Sequence, residues 1–491
     1  MKKHIKFMVK GIVFICILCI CIKIVNQIIM PKLFYQEMLP TTLAYTDFYD
    51  MEENTIDVLF LGSSVAATSY IPQELYNHYG ITSYNLSSEK QSPIVSYYWL
   101  KEALRYQHPK ALVLDLHYFF DGGDNPLNTQ EVYVRRALDY MKWSPVKREA
   151  VRTVCKIDES QSELSYYFPN IRYHTRWMEL TEEDFFNSDL YEEYALMGYA
   201  PLARCFSVDG FGPYDDEVME KETDMKPLMR EYLDKIVKLC DQEGISLILT
   251  STPMPSADKG RFYTIQKYAD EHELLFLDFN EKTLYYSIGF DFFSDSHDSL
   301  HQNLWGAKKM TNYIGDVLNH QYNIGANFDE QWEDSKKAYE EVEKDCEIQR
   351  ITNINEYIPA LDVERYSVFI SASGSYVACL GEETILKLRE LGLEVNLQTD
   401  LSKESFYYYF AVLADGRTEE YIGYDERTHR SSIRNGEVTY DITGTGSVII
   451  DGVERSMQEN GLKIVVYNNK TRKVIDSVCF DASTEGDTIF R

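Results

Sequence analysis

The sequence predicts a membrane-tethered α/β protein: a flavodoxin-like, three-layer domain built on a parallel sheet, followed by a smaller β-rich α+β domain. Three observations predict it. Between positions 56 and 319, short apolar runs alternate with amphipathic stretches, the pattern of a parallel sheet covered by helices on both faces. Beyond about position 358 the texture changes to short β-rich runs divided by polar turns such as Asp451-Gly452 and Asn468-Asn469. At the N-terminus, Lys2, Lys3, Lys6 and Lys10 precede an apolar stretch over 11–30, about the length that crosses a bilayer.

The N-terminal stretch is read as an uncleaved signal anchor over 1–31. Its lysine-rich flank stays in the cytoplasm, and the rest of the chain lies outside. Lys23 and Asn26 interrupt the apolar run near its outer end, where a lysine can snorkel toward headgroups. A cleaved signal peptide is the alternative, but the apolar core leads into Asn26-Gln27-Ile28-Ile29-Met30-Pro31, which contains no small-x-small cleavage site.

A chain of 491 residues is too long for a single core, so two folded domains are expected beyond the anchor. Net charge is -29, from 49 Lys+Arg against 78 Asp+Glu, and such a surface repels phosphate, which argues against nucleic acid as a partner. Of nine cysteines, Cys16, Cys19 and Cys21 lie in the membrane run. The remaining six, Cys155, Cys205, Cys240, Cys346, Cys379 and Cys479, form no CxxC pair or Cys/His cluster of the kind that binds metal. Export permits disulfides, and Cys379 with Cys479 is the candidate pair, with buried free thiols as the alternative.

In chain order, strands are expected at 57–61, 83–86, 111–116, 246–251 and 274–279. Helices are expected at 72–79, 93–106, 226–243, 260–273 and 304–318. Met229, Tyr232, Leu233, Ile236, Val237 and Cys240 keep helical spacing, so that helix turns one apolar face to the sheet. A long insertion, 121–225, separates the third and fourth strands. Tyr166, Tyr167, Phe168, Tyr173, His174, Trp177, Phe185 and Phe186 crowd part of it, and these are expected to pack internally, with His174 structural. An insertion leaving the C-terminal edge of a sheet also covers whatever site lies there. The first domain is bounded at 55–322. A connecting segment occupies 323–357; its charged stretch 329–349 carries Trp332, Tyr339 and Val342 at helical spacing. The last domain covers 358–485, with strands at Tyr366-Ser367-Val368-Phe369-Ile370, 407–413, Ser447-Val448-Ile449-Ile450 and Leu462-Lys463-Ile464-Val465-Val466-Tyr467, and a helix over 382–391 stopped by Gly392.

The chemistry begins at Ile56-Asp57-Val58-Leu59-Phe60-Leu61-Gly62-Ser63-Ser64-Val65, a buried strand that ends by handing two serines to the edge of the sheet. A serine hydroxyl barely ionises at neutral pH, so acyl transfer needs an imidazole in hydrogen-bond reach and a carboxylate to orient it. Asp298-Ser299-Leu300-His301 supplies both, on a loop just before the last helix of the domain. The amide of Ser64, at the start of a helix, is a candidate donor to an oxyanion.

Gly62-Ser63-Ser64 resembles the first block of the SGNH (GDSL-like) hydrolases, and Asp298-Ser299-Leu300-His301-Gln302-Asn303-Leu304-Trp305-Gly306-Ala307 resembles their last. The resemblance implies Ser64 as nucleophile, His301 as general base and Asp298 as orienting acid. Asp295 and His297 are competitors for the acid and base roles, ranked second because Asn303 and Gly306 fix the register on His301. Ser63 stands where many members have Asp, which resembles the exported D-alanyl transfer proteins. Tyr84-Asn85-Leu86 with Lys90-Gln91-Ser92 resembles the second block, with Lys90 in the place of the glycine whose amide lines the oxyanion hole. Leu116-His117-Tyr118-Phe119 comes after the third strand where the family has Gly-x-Asn-Asp; Phe119 has no donor, so His117 or an amide of the insertion is the substitute. The oxyanion candidates are therefore Ser64, Lys90, Gln91 and His117.

The C-terminal stretch from 358 resembles the interleukin-like EMT inducer domain, through the strands above and Val478-Cys479-Phe480-Asp481. That resemblance implies glycan binding, and a structural role is the alternative. Together these readings describe an anchored, exported serine esterase or acyltransferase that needs no metal or organic cofactor. Its expected substrate is an acyl ester of a cell-envelope polysaccharide. Two alternatives stand beside it: D-alanyl or acetyl transfer with a membrane acyltransferase as partner, and a non-catalytic glycan-binding protein on the same scaffold.

Overall fold

The computed structural model describes residues 2–32, 39–180, 182–185, 196–205, 211–214, 221–255, 257–394 and 408–491. The five expected strands form at Val58–Leu61 (β1), Ser83–Asn85 (β2), Ala111–Asp115 (β3), Ser246–Ser251 (β4) and Leu275–Asp278 (β5). They pair in parallel in the order β2-β1-β3-β4-β5, the flavodoxin-like order, which reverses direction between β1 and β3.

Strand periodicity divides the apolar residues between two cores. Leu59, Leu61, Leu112, Leu114, Leu247 and Leu249 face one side, against the helices Pro93–Ala103, Pro145–Ile157 and Pro227–Glu243. Val58, Phe60, Ala111, Val113 and Ile248 face the other, against Pro72–Tyr79 and Leu304–Tyr322. The central strands β1, β3 and β4 are thus buried on both faces, which is why they read as largely apolar runs. Burying each such side chain contributes roughly 1.5–3 kcal/mol. Side-chain caps set several helix starts: Ser92, Ser144, Asp258 and Asn303 each accept a backbone N–H. The last helix runs four residues past its expected end, to Tyr322, and closes on Asn323 at φ +56°.

The insertion folds around a buried cation. Arg135, on the helix Glu131–Leu138, lies 3.8 Å from the ring centre of Tyr166 and pairs with Glu131 at 2.9 Å and Asp139 at 3.4 Å. Tyr173 donates to Asp139 at 2.7 Å. Tyr166 and Tyr173 therefore pack as expected, but Phe168, Trp177 and Phe185 are exposed. Tyr167 stacks on Trp143 at the surface, and His174 is exposed with Nδ1 3.2 Å from the Ile171 carbonyl. Phe186 lies outside the described residues.

The chain divides into two compact units, Met1–Glu340 and Glu341–Arg491, and the charged helix Glu330–Arg350 spans the boundary. In the first unit, Trp332 donates to the Ser83 carbonyl and Tyr339 to Glu74. In the second, strands form at Tyr366–Ala372 (β6), Tyr408–Ala414 (β7), Arg417–Gly423 (β8), Thr428–Ile433 (β9), Val438–Thr443 (β10), Val448–Ile450 (β11), Val453–Glu454 (β12), Gly461–Asn468 (β13), Lys473–Asp481 (β14) and Ile489–Phe490 (β15). They make two antiparallel sheets, β15-β14-β13-β6-β7-β8 and β12-β11-β10-β9. Tyr407, the first residue of one expected strand, lies outside the described residues. Asp451 and Gly452 both take positive φ, as the two-residue hairpin between β11 and β12 requires. The expected helix spans Glu382–Glu390.

Of the two readings of Cys379 and Cys479, a disulfide or buried free thiols, the structure has the free thiols. Both are buried thiols; Cys379 Sγ donates to the Phe480 carbonyl at 3.3 Å and Cys479 Sγ to that of Glu459 at 3.6 Å. At the N-terminus a single helix covers Lys2–Ile29, and within it Lys6–Ile29 is long and apolar enough to cross a membrane.

Candidate active site

Ser64 is presented by a tight turn at the end of β1. It opens the short helix Ser64–Ser69, and the Ser63 hydroxyl accepts the Val65 N–H at 3.4 Å. Gly62 is required by crowding and not by backbone conformation. A Cβ there would come within 2.7 Å of Ala66 Cβ and 2.9 Å of Asp115 Cβ. Asn85, at the end of β2, donates from Nδ2 to the Ala66 carbonyl at 2.9 Å and ties this helix to the sheet.

The acid and the base come from a small hairpin ahead of the last helix. Ser296 and Gln302 form a bridge, the His297 N–H donates to the His301 carbonyl at 2.8 Å, and Gln302 Nε2 donates to the Pro253 carbonyl at 2.8 Å. Asn303 holds the hairpin to the helix. Its Oδ1 accepts the N–H groups of Trp305 and Gly306, and its Nδ2 donates to the Ser294 carbonyl at 2.8 Å. A Cβ on Gly306 would lie 2.2 Å from the Asp295 carbonyl oxygen, so only glycine lets the helix start so close.

These two pieces meet. His301 Nε2 lies 2.9 Å from Ser64 Oγ, and His301 Nδ1 lies 3.0 Å and 2.9 Å from the two carboxylate oxygens of Asp298. Asp298 also accepts the N–H groups of Leu300 and His301, both at 2.8 Å. Burial opposes its ionisation, but the hydrogen bonds from the His301 ring and these amides outweigh burial and hold it well below the usual carboxylate range. An ionised Asp298 keeps the proton of a neutral imidazole on Nδ1, which leaves Nε2 free to accept from Ser64. Asp295, the competing acid, is taken up by Lys309 at 2.6 Å and by the Asp291 N–H at 2.8 Å. Neither Asp295 nor His297 lines the cavity over Ser64.

That cavity, about 510 Å³, sits at the carboxyl edge of the sheet beside the switch between β1 and β3, where open α/β sheets place their ligands. Ser64, Lys90, His117, Asp298 and His301 all line it. Lys90 takes φ +47°, the conformation that suits glycine, and its ammonium sits 4.8 Å over the Tyr133 ring. Among the described residues, the N–H groups of Ser64 and Lys90 donate to no protein acceptor, so both are available to an oxyanion.

Gln91 and His117 are not available in that way. Gln91 is buried; its Nε2 donates to the Leu86 carbonyl and Ser96 Oγ, and its own N–H donates to the Ser88 carbonyl. It braces the loop and has no donor left. His117 lines the cavity, but burial pushes its ring down to about 4, so it is neutral, and Nε2 faces Asp121 at 3.3 Å. The carboxylate captures the one ring proton, leaving Nδ1 an acceptor.

Compared with known protein families and with curated proteins, the chain matches none. Four charged residues that line the cavity, Glu89, Asp121, Arg136 and Arg261, are not among the expected site residues. Arg261 clamps Asp121 with two hydrogen bonds, at 2.8 Å and 2.9 Å, and Arg136, from the insertion, pairs with Glu89. The insertion was expected to cover the site, and Asp121 and Arg136 are where it does so. Arg261 lies beyond β4 with no local motif to mark it.

Proposed function

We propose that this chain is a membrane-anchored, extracytoplasmic serine esterase or acyltransferase of SGNH type, acting on an acyl ester of a cell-envelope polysaccharide. The observation that carries the proposal is the relay Ser64 Oγ to His301 Nε2 to Asp298, with each step at about 3 Å. In this reading Ser64 Oγ attacks the ester carbonyl as its proton passes to His301 Nε2. The negative charge that develops on the carbonyl oxygen is met by the amides of Ser64 and Lys90. The tetrahedral intermediate collapses, His301 returns the proton to the departing alcohol, and the acyl group remains on Ser64. Water, or a sugar hydroxyl, deprotonated by the same imidazole, then resolves the ester on Ser64; the first gives hydrolysis and the second transfer.

The choice of polysaccharide rests on the anchor and on the resemblance of the C-terminal unit to a glycan-binding module, which would hold the polymer. Transfer with a membrane acyltransferase is the second reading, and the membrane-length helix favours it by keeping the site near such a partner. Fluorophosphonate labelling of the purified chain tests the proposal. Labelling lost in both Ser64→Ala and His301→Ala supports it; labelling that is absent from the folded wild type, or that persists in Ser64→Ala, contradicts it.

A further inference from the structure

The helix Lys2–Ile29 is exposed from Lys6 to Val25 and enters the protein only at its end, where Ile29 is 6% exposed. Three short elements of the insertion meet it: Asn170–Tyr173, His174–Met178 and Glu182–Phe185. Arg176 Nη1 donates to the Ile29 carbonyl at 2.8 Å, and Lys32 Nζ lies 3.6 Å from Asp184. The Tyr140 hydroxyl donates to the Pro31 carbonyl. The junction between helix and body is therefore built and not a loose tether.

The same three elements carry large apolar side chains that are exposed among the described residues. Ile171, Trp177, Met178 and Phe185 are 50%, 68%, 65% and 63% exposed, and Leu164 and Phe168 just before them are 61% and 47% exposed. A lone exposed apolar residue is ordinary, but six of them within 22 positions, fixed beside the end of a membrane-length helix, mark an interaction surface. Depth identifies the occupant. The 24 residues of Lys6–Ile29 span about 36 Å at about 1.5 Å per residue, longer than the ~30 Å hydrocarbon core, so Ile29 emerges at the interface. Side chains on elements touching the helix there sit at headgroup level, where tryptophan is favoured. The nearby cations are paired, Arg176 with Asp184 at 2.8 Å and Arg172 with Glu131 at 3.4 Å, so apolar contact and not charge dominates.

We propose that the 164–185 segment is a second membrane contact, inserting Ile171, Trp177, Met178 and Phe185 into the outer-leaflet interface beside the anchor. Two attachments hold the domain at one orientation, so its cavity keeps a set height and direction above the lipid. The inference rests on the anchor reading of the N-terminal helix and not on the serine chemistry.

The test reconstitutes the full chain, one copy per phosphatidylcholine nanodisc, with and without lipid carrying a quencher near the headgroup. Of the five tryptophans, Trp99 and Trp332 are buried and Trp305 is half-buried, but Trp143 is 49% exposed, so the Trp177 signal is taken as the difference between wild type and Trp177→Phe. The expected result is quenching of wild-type tryptophan fluorescence whose lipid-dependent part is lost in Trp177→Phe, with the circular dichroism of the two proteins superimposable. Ile171→Asp with Phe185→Asp, which keeps the reporter and the anchor, should weaken the lipid-dependent quenching of Trp177 while leaving fluorophosphonate labelling unchanged. Equal quenching in wild type and Trp177→Phe overturns the surface alone. So does shielding of Trp177 that appears only with two copies per disc, which would assign the patch to a second copy. A full chain that elutes free of lipid overturns the anchor and this surface together.

Discussion

Asp298 Oδ1 lies 2.8 Å from the backbone N–H of His301 and 3.0 Å from its Nδ1, so one carboxylate fixes both the loop and the imidazole. Replacement by asparagine separates these roles. Asp298→Asn keeps an acceptor for the amide but removes the charge that holds the ring proton on Nδ1. The labelling rate at Ser64 should fall by a factor approaching roughly 10⁴, with thermal stability changed far less. Inactivation kinetics and a melting curve on the same preparation check this.

Gly62→Ala puts a methyl group where Ala66 Cβ and Asp115 Cβ stand 2.7 Å and 2.9 Å away. Neither neighbour is the end of a flexible chain, so the turn must shift. A loss of about 1–3 kcal/mol is expected in urea denaturation, together with slower labelling as Ser64 is displaced. An alanine that leaves both unchanged would contradict this account of the turn.

Lys90 at φ +47° carries backbone strain of about 1–2 kcal/mol that glycine would not. Glycine offsets roughly 0.5–1 kcal/mol of that gain through the freer unfolded chain. Lys90→Gly is therefore expected to be neutral to slightly stabilising, and to keep most of the labelling rate because the amide survives. A loss comparable to that of His301→Ala would mean that the ammonium, not the amide, serves the site.

Asp115 gives the pH dependence. Burial pushes its carboxyl up to about 7; the N–H groups of His117 and Thr252 pull the other way, and the nearby Asp278 adds to the rise. The unfolded chain releases this proton near pH ~3.9, so between about 4 and 7 the folded state holds more protons than the unfolded state. Stability contributed here is greatest below that window, falls as pH rises through it and levels off above. Asp115→Asn removes the titration and keeps an acceptor for His117. Its urea midpoint relative to wild type should therefore rise between pH 5 and pH 8.

Much of the site was legible because its signals are local. Ser64 ends an apolar run, and His301 lies three residues after Asp298 and just before a capped helix, so strand and loop identify them without knowledge of the pairing. Arg261 was not legible, since a lone arginine after a strand becomes a pocket residue only when the fold brings Asp121 to it. Gln91 was misread because its side chain is consumed by buried partners that sequence does not reveal. The β8, β9 and β10 strands escaped for a different reason. Arg417, Glu419, Glu420, Arg430 and Asp441 give them a charged texture, and their pairing depends on neighbours and not on apolar alternation. Phe168, Trp177 and Phe185 were read as packing because an aromatic cluster looks the same in sequence whether it faces inward or outward.

The most direct measurement is the mass of the Ser64 peptide after brief incubation of the full chain with an activated acetyl ester and acid quenching. The predicted result is one acetyl group on Ser64, absent in Ser64→Ala and strongly reduced in His301→Ala. A folded wild-type chain with no acyl group on Ser64, or one acylated elsewhere while Ser64 stays free, would contradict the proposed chemistry.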